Sequence, residues 1–211
     1  MSKGKLDFCF PFPSLPMAST TAHRSTGWAT GVIAAALASR EMTDPTGLWT
    51  AATLVCGYLG GTAPDWMENA WWSTGRGKQR WITHRTWTHW GLAWIGLLAW
   101  CYLHLAQHRL AAPAFGFAAG GLMHLLADWP NPLGVPWLFA RRYSLRWWKS
   151  GRCDYLLIFI VWAAALFVAD QVWWHGTVRR HLGTLSAHAY TSLPTGFRAI
   201  VEGWLRSFVL R

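Results

Sequence analysis

In 211 residues, side chains of the AVILMFWYC set make up 53% and charged ones 13%, with a net charge of +10. Disordered chains combine dense charge with few aromatics, and soluble domains carry about 25% charged residues, so this composition excludes the first and argues against the second. Eighteen tryptophans suit bilayer interfaces, and in a membrane protein a basic excess marks the cytoplasmic side rather than nucleic acid.

The N-terminal segment, residues 1–22, carries Lys3 and Lys5 and then an apolar stretch broken by Pro11, Pro13 and Pro16. Proline interrupts the helix that a cleaved signal peptide needs, so none is expected. Five apolar segments follow: 27–39, 47–63, 86–107, 110–127 and 155–177. The first has 13 residues and either re-enters or packs as a buried helix; the later four reach or approach spanning length. The expectation is an all-α multi-pass membrane bundle of four or five helices.

With five spans, twelve Lys or Arg between Lys3 and Arg152 share one side, and the opposite loops hold only Arg40 and Arg109. The positive-inside rule makes the first side cytoplasmic. If residues 27–39 re-enter, the N-terminus and His23 change sides. The tail, 178–211, carries five Arg on the other side and does not follow the rule. Within it, Phe197, Ile200, Val201, Trp204, Leu205, Phe208 and Val209 recur at helical spacing opposite Arg198, Glu202 and Arg206. This predicts an amphipathic helix over 195–210 on the membrane or against the bundle. Cys9, Cys56, Cys101 and Cys153 are far apart, form no CxxC pair and read as apolar thiols.

Ionisable residues gather at the predicted helix ends. His23 precedes the first helix, and Asp65 follows Pro64, which is expected to end the second. His84 falls in the next loop. Thr88 is the expected N-cap of the third helix, with His89 in its first turn. His124 and Asp128, at i, i+4, share a face at the end of the fourth, and Asp154 opens the fifth. The five-span layout puts all of them on the cytoplasmic face. Three or four imidazoles with two carboxylates form a ligand set for zinc, manganese or iron. His104, His108, His175, His181 and His188 read as interfacial polar residues. Asp170, inside the fifth segment, pairs with a base or faces water. The cluster from Arg141 to Arg152 reads first as topology and headgroup charge. Residues 73–79 lack the first Gly and the Ser or Thr of a P-loop, and neither HExxH nor GxSxG occurs.

Four ordered motifs, His23-Arg24-Ser25-Thr26-Gly27, Gly60-Gly61-Thr62-Ala63-Pro64-Asp65, His84-Arg85-Thr86-Trp87-Thr88-His89 and Gly121-Leu122-Met123-His124-Leu125-Leu126-Ala127-Asp128, resemble the YdjM-like inner-membrane metal-dependent hydrolases. Asn131 to Pro136 and Asp154 extend the resemblance over about residues 20–160. Trp87, Trp90 and Asp154 depart from the family pattern. The helical zinc-dependent phospholipase C and nuclease group is similar more distantly, without its later His and Glu ligands.

These readings make residues 23–177 a membrane-embedded hydrolase-like domain at the inner membrane. The expected metal ligands are His23, Asp65, His84, His89, His124 and Asp128, holding one or two divalent ions, with zinc first. Asp65 or Asp154 takes a proton, and Arg85 or Arg141 holds an anionic group of a phosphoester or lipid-like substrate. The competing reading is a non-catalytic protein whose metal site staples helix ends or whose surface binds a regulatory partner.

Overall fold

The computed structural model describes residues 18–70, 87–132, 134–138, 141–147 and 153–209. Among them are eight α-helices and no strand: α1 (Ala18–Glu41), α2 (Leu48–Gly60), α3 (Ala63–Ala70), α4 (Gly91–Leu103), α5 (Ala111–Asp128), α6 (Asp154–Val172), α7 (Thr177–Ser192) and α8 (Thr195–Val209). Each of the five apolar segments falls on a helix, so the all-α expectation holds.

The helix boundaries differ from those expected, for local reasons. α1 begins well before residue 27, which puts His23 inside a helix rather than before one. Its Thr26 and Thr30 hydroxyls donate back to Ala22 O (2.8 Å) and Thr26 O (2.7 Å), so polar side chains are satisfied within the helix. α2 stops at Gly60, and Pro64 sits in the first turn of α3 instead of ending α2. Proline fits there because first-turn N–H groups have no intrahelical acceptor. Thr88 is not an N-cap: it lies in a 3-10 turn, Trp87–His89, and α4 starts at Gly91. The first N–H groups of α4 donate to Pro136 O (2.9 Å) and Trp137 O (3.0 Å), so the 134–138 loop supplies the cap.

By length and composition, α6 is the one described helix suited to crossing a membrane; α2 and α4, 13 residues each, are apolar but shorter. A 13-residue helix is about 20 Å long against a hydrocarbon core of about 30 Å. The expected spanning lengths were counts of uncharged residues, and turns take up part of them.

α1, α2 and α5 pack as a trio, with α4 against α5. Glycine permits the approach. A Cβ on Gly57 would strike the Gly31 backbone of α1, and one on Gly120 would strike the Gly57 carbonyl. Backbone-to-backbone packing through small residues is the habit of membrane helices. Ala29, Val161 and Ala165 join α6 to α1. Outward, α4 and α6 expose Leu92, Ile95, Trp100, Phe159, Ile160 and Phe167.

Asp44 accepts the Thr50 N–H at 2.8 Å, fastening the turn into α2, and this backbone hydrogen bond lowers its pKa. Cys56 and Cys101 are free thiols as expected, but Cys153 is disulfide-bonded.

Residues 170–211 form a second compact unit. Among the described residues Asp170 meets no basic side chain, and it does not face water. It is buried and accepts the N–H groups of Val178 (2.9 Å) and Arg179 (3.2 Å), capping α7. The expected tail helix appears as α8, while α7 went unread: its Arg179, Arg180, His181 and His188 dilute the apolar signal.

Candidate metal centre

Five of the six proposed ligands converge, in two overlapping groups able to hold a metal ion: His23, His124 and Asp128, and Asp65, His89 and His124. They come from α1, α3, the 3-10 turn and α5. His84 and Arg85 lie outside the described residues. Arg141 is exposed in the loop after α5. Asp154 opens α6 and belongs to neither group.

Glycines bring the elements together. A Cβ on Gly61 would lie 2.7 Å from Gly27 Cα and 2.8 Å from His23 O, so only glycine lets the α2–α3 turn reach α1 beside His23. The same turn orients the central imidazole: His124 Nδ1 lies 2.9 Å from Gly61 O. A carbonyl only accepts, so Nδ1 carries the hydrogen and the neutral ring turns its Nε2 lone pair the other way.

That lone pair faces acceptors. His124 Nε2 lies 3.6 Å from both Asp65 Oδ1 and Asp128 Oδ2 and has no hydrogen-bond partner among the described residues. His89 Nε2 is 3.6 Å from Asp65 Oδ1 and 3.9 Å from Asp128 Oδ2, and His23 Nε2 is 3.6 Å from Asp128 Oδ1. These separations exceed hydrogen bonds. Ligand atoms at about 2.0–2.1 Å in a tetrahedral zinc site lie about 3.3–3.4 Å from one another, close to what is seen here. The rings are also crowded: His23 stacks on His124 at 3.9 Å and His89 meets it edge-on at 5.2 Å. Three imidazolium rings at such spacing would repel, whereas a divalent cation between the nitrogens and carboxylates attracts every donor. The donor set fits a metal ion.

Supporting contacts hold the donors. Thr88 Oγ1 donates to Glu68 Oε1 at 3.0 Å, and His89 Nδ1 lies 3.2 Å from the same oxygen. The Asn131 side-chain amide donates to Asp128 Oδ1 at 3.1 Å. Neither Glu68 nor Asn131 is among the ligands expected from the sequence, although Asn131 opens the Asn131 to Pro136 run. The signal was present: Glu68 follows Asp65 by three residues on one helix face, and Asn131 follows Asp128 by three.

Burial is uneven. His23, His89, His124 and Asp128 are buried, while the Asp65 side chain is 48% exposed. Trp66 and Trp87, beside Asp65 and His89 in sequence, are exposed.

A family model described as YdjM inner membrane protein matches residues 17–200. The chain belongs to the YdjM inner membrane protein family. This match contains every donor of the centre, α1 to α7 and the start of α8. No curated protein and no solved structure matches the chain.

Proposed function

We propose that this YdjM protein is a multi-pass, membrane-bound, metal-dependent hydrolase acting on a phosphoester or lipid-like substrate at the cytoplasmic face of the inner membrane. The observation that carries the reading is His124. Its Nδ1 is committed to Gly61 O, and its Nε2 stands 3.6 Å from two carboxylates, one of them half-exposed.

Zinc is the first choice of ion; His89, His124, Asp65 and Asp128 would hold it, and His23 Nε2 stands 3.6 Å from the second oxygen of Asp128. Such an ion supplies Lewis acidity towards a P=O or C=O oxygen and lowers the pKa of bound water. Asp65 is the donor reachable from outside, so it can accept a proton from an attacking water. Arg85 and Arg141 are the candidate holders of an anionic group, and Asp154 is a second candidate base. Exposed Trp66 and Trp87 suit an amphiphilic substrate entering from the bilayer surface.

Burial of four of the five donors favours a second reading, a closed site that staples helix ends and leaves the surface to a regulatory partner. Asp65→Asn separates the two. In a hydrolase it stays folded in detergent and loses on the order of 10²-fold in turnover on phosphoesters or lipids. If the variant unfolds and the wild type turns over no phosphoester, lipid or amide, the site is structural.

The cytoplasmic assignment rests on the twelve-to-two division of basic residues. The Cys153 disulfide, next to Asp154, favours the opposite compartment, because disulfides are rare in the cytosol.

A further inference from the structure

The C-terminal hairpin has a surface that the metal centre does not use. α7 and α8 are joined through Tyr190, whose hydroxyl donates to Glu202 at 2.5 Å, and through Arg198 Nε, which donates to Leu193 O at 2.9 Å. The Glu202 hydrogen bond raises the Tyr190 pKa. On α7, Val178, Leu182 and Leu185 follow at i, i+4 and i+7 and are all exposed. On α8, Phe197 and Ile200 are exposed too. Closing the hairpin therefore leaves an apolar stripe uncovered on each helix.

The charge on the remaining faces has one sign. Arg179, Arg180, Arg198 and Arg206 stand against a single acid, Glu202, which already serves Tyr190 and Arg206. The start of the hairpin is also placed by the chain. α6 is the helix suited to crossing a membrane, and α7 begins five residues after it ends. Between them, His175 (φ 49°) and Gly176 (φ 75°) are left-handed and break the helix, and Asp170 caps α7 at once. Trp173 and Trp174 occupy this junction, where a spanning helix meets headgroups.

We propose that α7 and α8 lie on the bilayer surface at the end of α6, with their apolar stripes in the acyl boundary and their arginines on anionic headgroups. Apolar area combined with basic charge is what an anionic lipid surface complements. A second copy of the chain is disfavoured as the occupant, because its hairpin would bring the same four arginines.

The test uses full-length protein in nanodiscs, with an environment-sensitive fluorescent residue placed by codon suppression at Leu185, Ile200 or Arg180. The discs contain phosphatidylcholine alone or with phosphatidylglycerol. Bromine on the lipid chains should quench positions 185 and 200, and aqueous iodide should quench position 180. Shielding at 185 and 200 should be greater with phosphatidylglycerol. Arg179→Gln and Arg180→Gln should each weaken that preference about fivefold, as expected for one charge near an anionic surface. Equal access of iodide to all three positions overturns the proposal. Shielding that ignores the anionic lipid overturns the headgroup part. Shielding that appears without lipid and grows with protein concentration assigns the stripes to a second copy instead.

Discussion

Glu68 Oε1 and His89 Nδ1 lie 3.2 Å apart inside the protein, with Thr88 Oγ1 donating to the same carboxylate oxygen. A carboxylate facing an imidazole nitrogen fixes the hydrogen there, so the other nitrogen, Nε2, carries the lone pair towards Asp65 and Asp128. Carboxylate–histidine–metal relays of this kind tune the ligand without touching the ion. Glu68→Ala should therefore lower zinc affinity about 10–100-fold, with partial rescue by Glu68→Gln. Competition against a chromophoric chelator measures it, and an unchanged affinity in Glu68→Ala would show that the pair does not act on the centre.

Metal binding should also depend on pH in a definite direction. Each imidazole must be deprotonated to ligate, so protons and metal compete for the Nε2 atoms of His89 and His124. Zinc affinity should therefore fall as pH is lowered. His124→Ala and Asp128→Ala should abolish tight binding at every pH. Elemental analysis across a pH series checks both points, and pH-independent loading would mean that the histidines are not ligands.

Gly61→Ala is the packing counterpart. The added methyl would meet Gly27 Cα at 2.7 Å and His23 O at 2.8 Å, both backbone atoms that cannot swing away. Overpacking of this sort costs about 1–3 kcal/mol. Thermal unfolding in detergent should show a lower Tm, together with weaker zinc binding because His124 and His23 are displaced. Gly96→Ala, inside α4, meets nothing within 4 Å and serves as the control, with a Tm that does not fall.

The donors were legible in the sequence because the chemistry of a metal site is local in residue type. An i, i+4 His–Asp pair and three motifs near helix ends point to His23, Asp65, His84, His89, His124 and Asp128 before any fold is known; five of these converge, and His84 lies outside the described residues. What holds the donors was harder to read. The Gly61 carbonyl that orients His124 is a backbone group, and no side-chain pattern announces it. Pro64 starts a helix rather than ending one, because proline suits either side of a helix boundary and only the turn at Gly61 and Thr62 decides. The cap of α4 lay in a loop some 45 residues further along, at Pro136 and Trp137, which spacing cannot show.

Membrane orientation is where two observations conflict, and reporter fusions resolve it. The division of basic residues puts Lys78 and Lys149 in the cytoplasm and Arg109 in the periplasm. The Cys153 disulfide pulls the other way, since the cytosol keeps thiols reduced. Positive-inside bias acts during insertion on many short loops at once, so twelve charges against two should outweigh one cysteine. Phosphatase fusions after Lys78 and Lys149 should therefore be inactive, and a fusion after Arg109 active. If the Lys78 and Lys149 fusions are both active, the metal centre faces the periplasm and its substrate is to be sought there. If those two fusions report opposite sides, the α2–α3 and α5 ends cannot share a face, and the centre built from Asp65, His124 and Asp128 does not exist in the membrane.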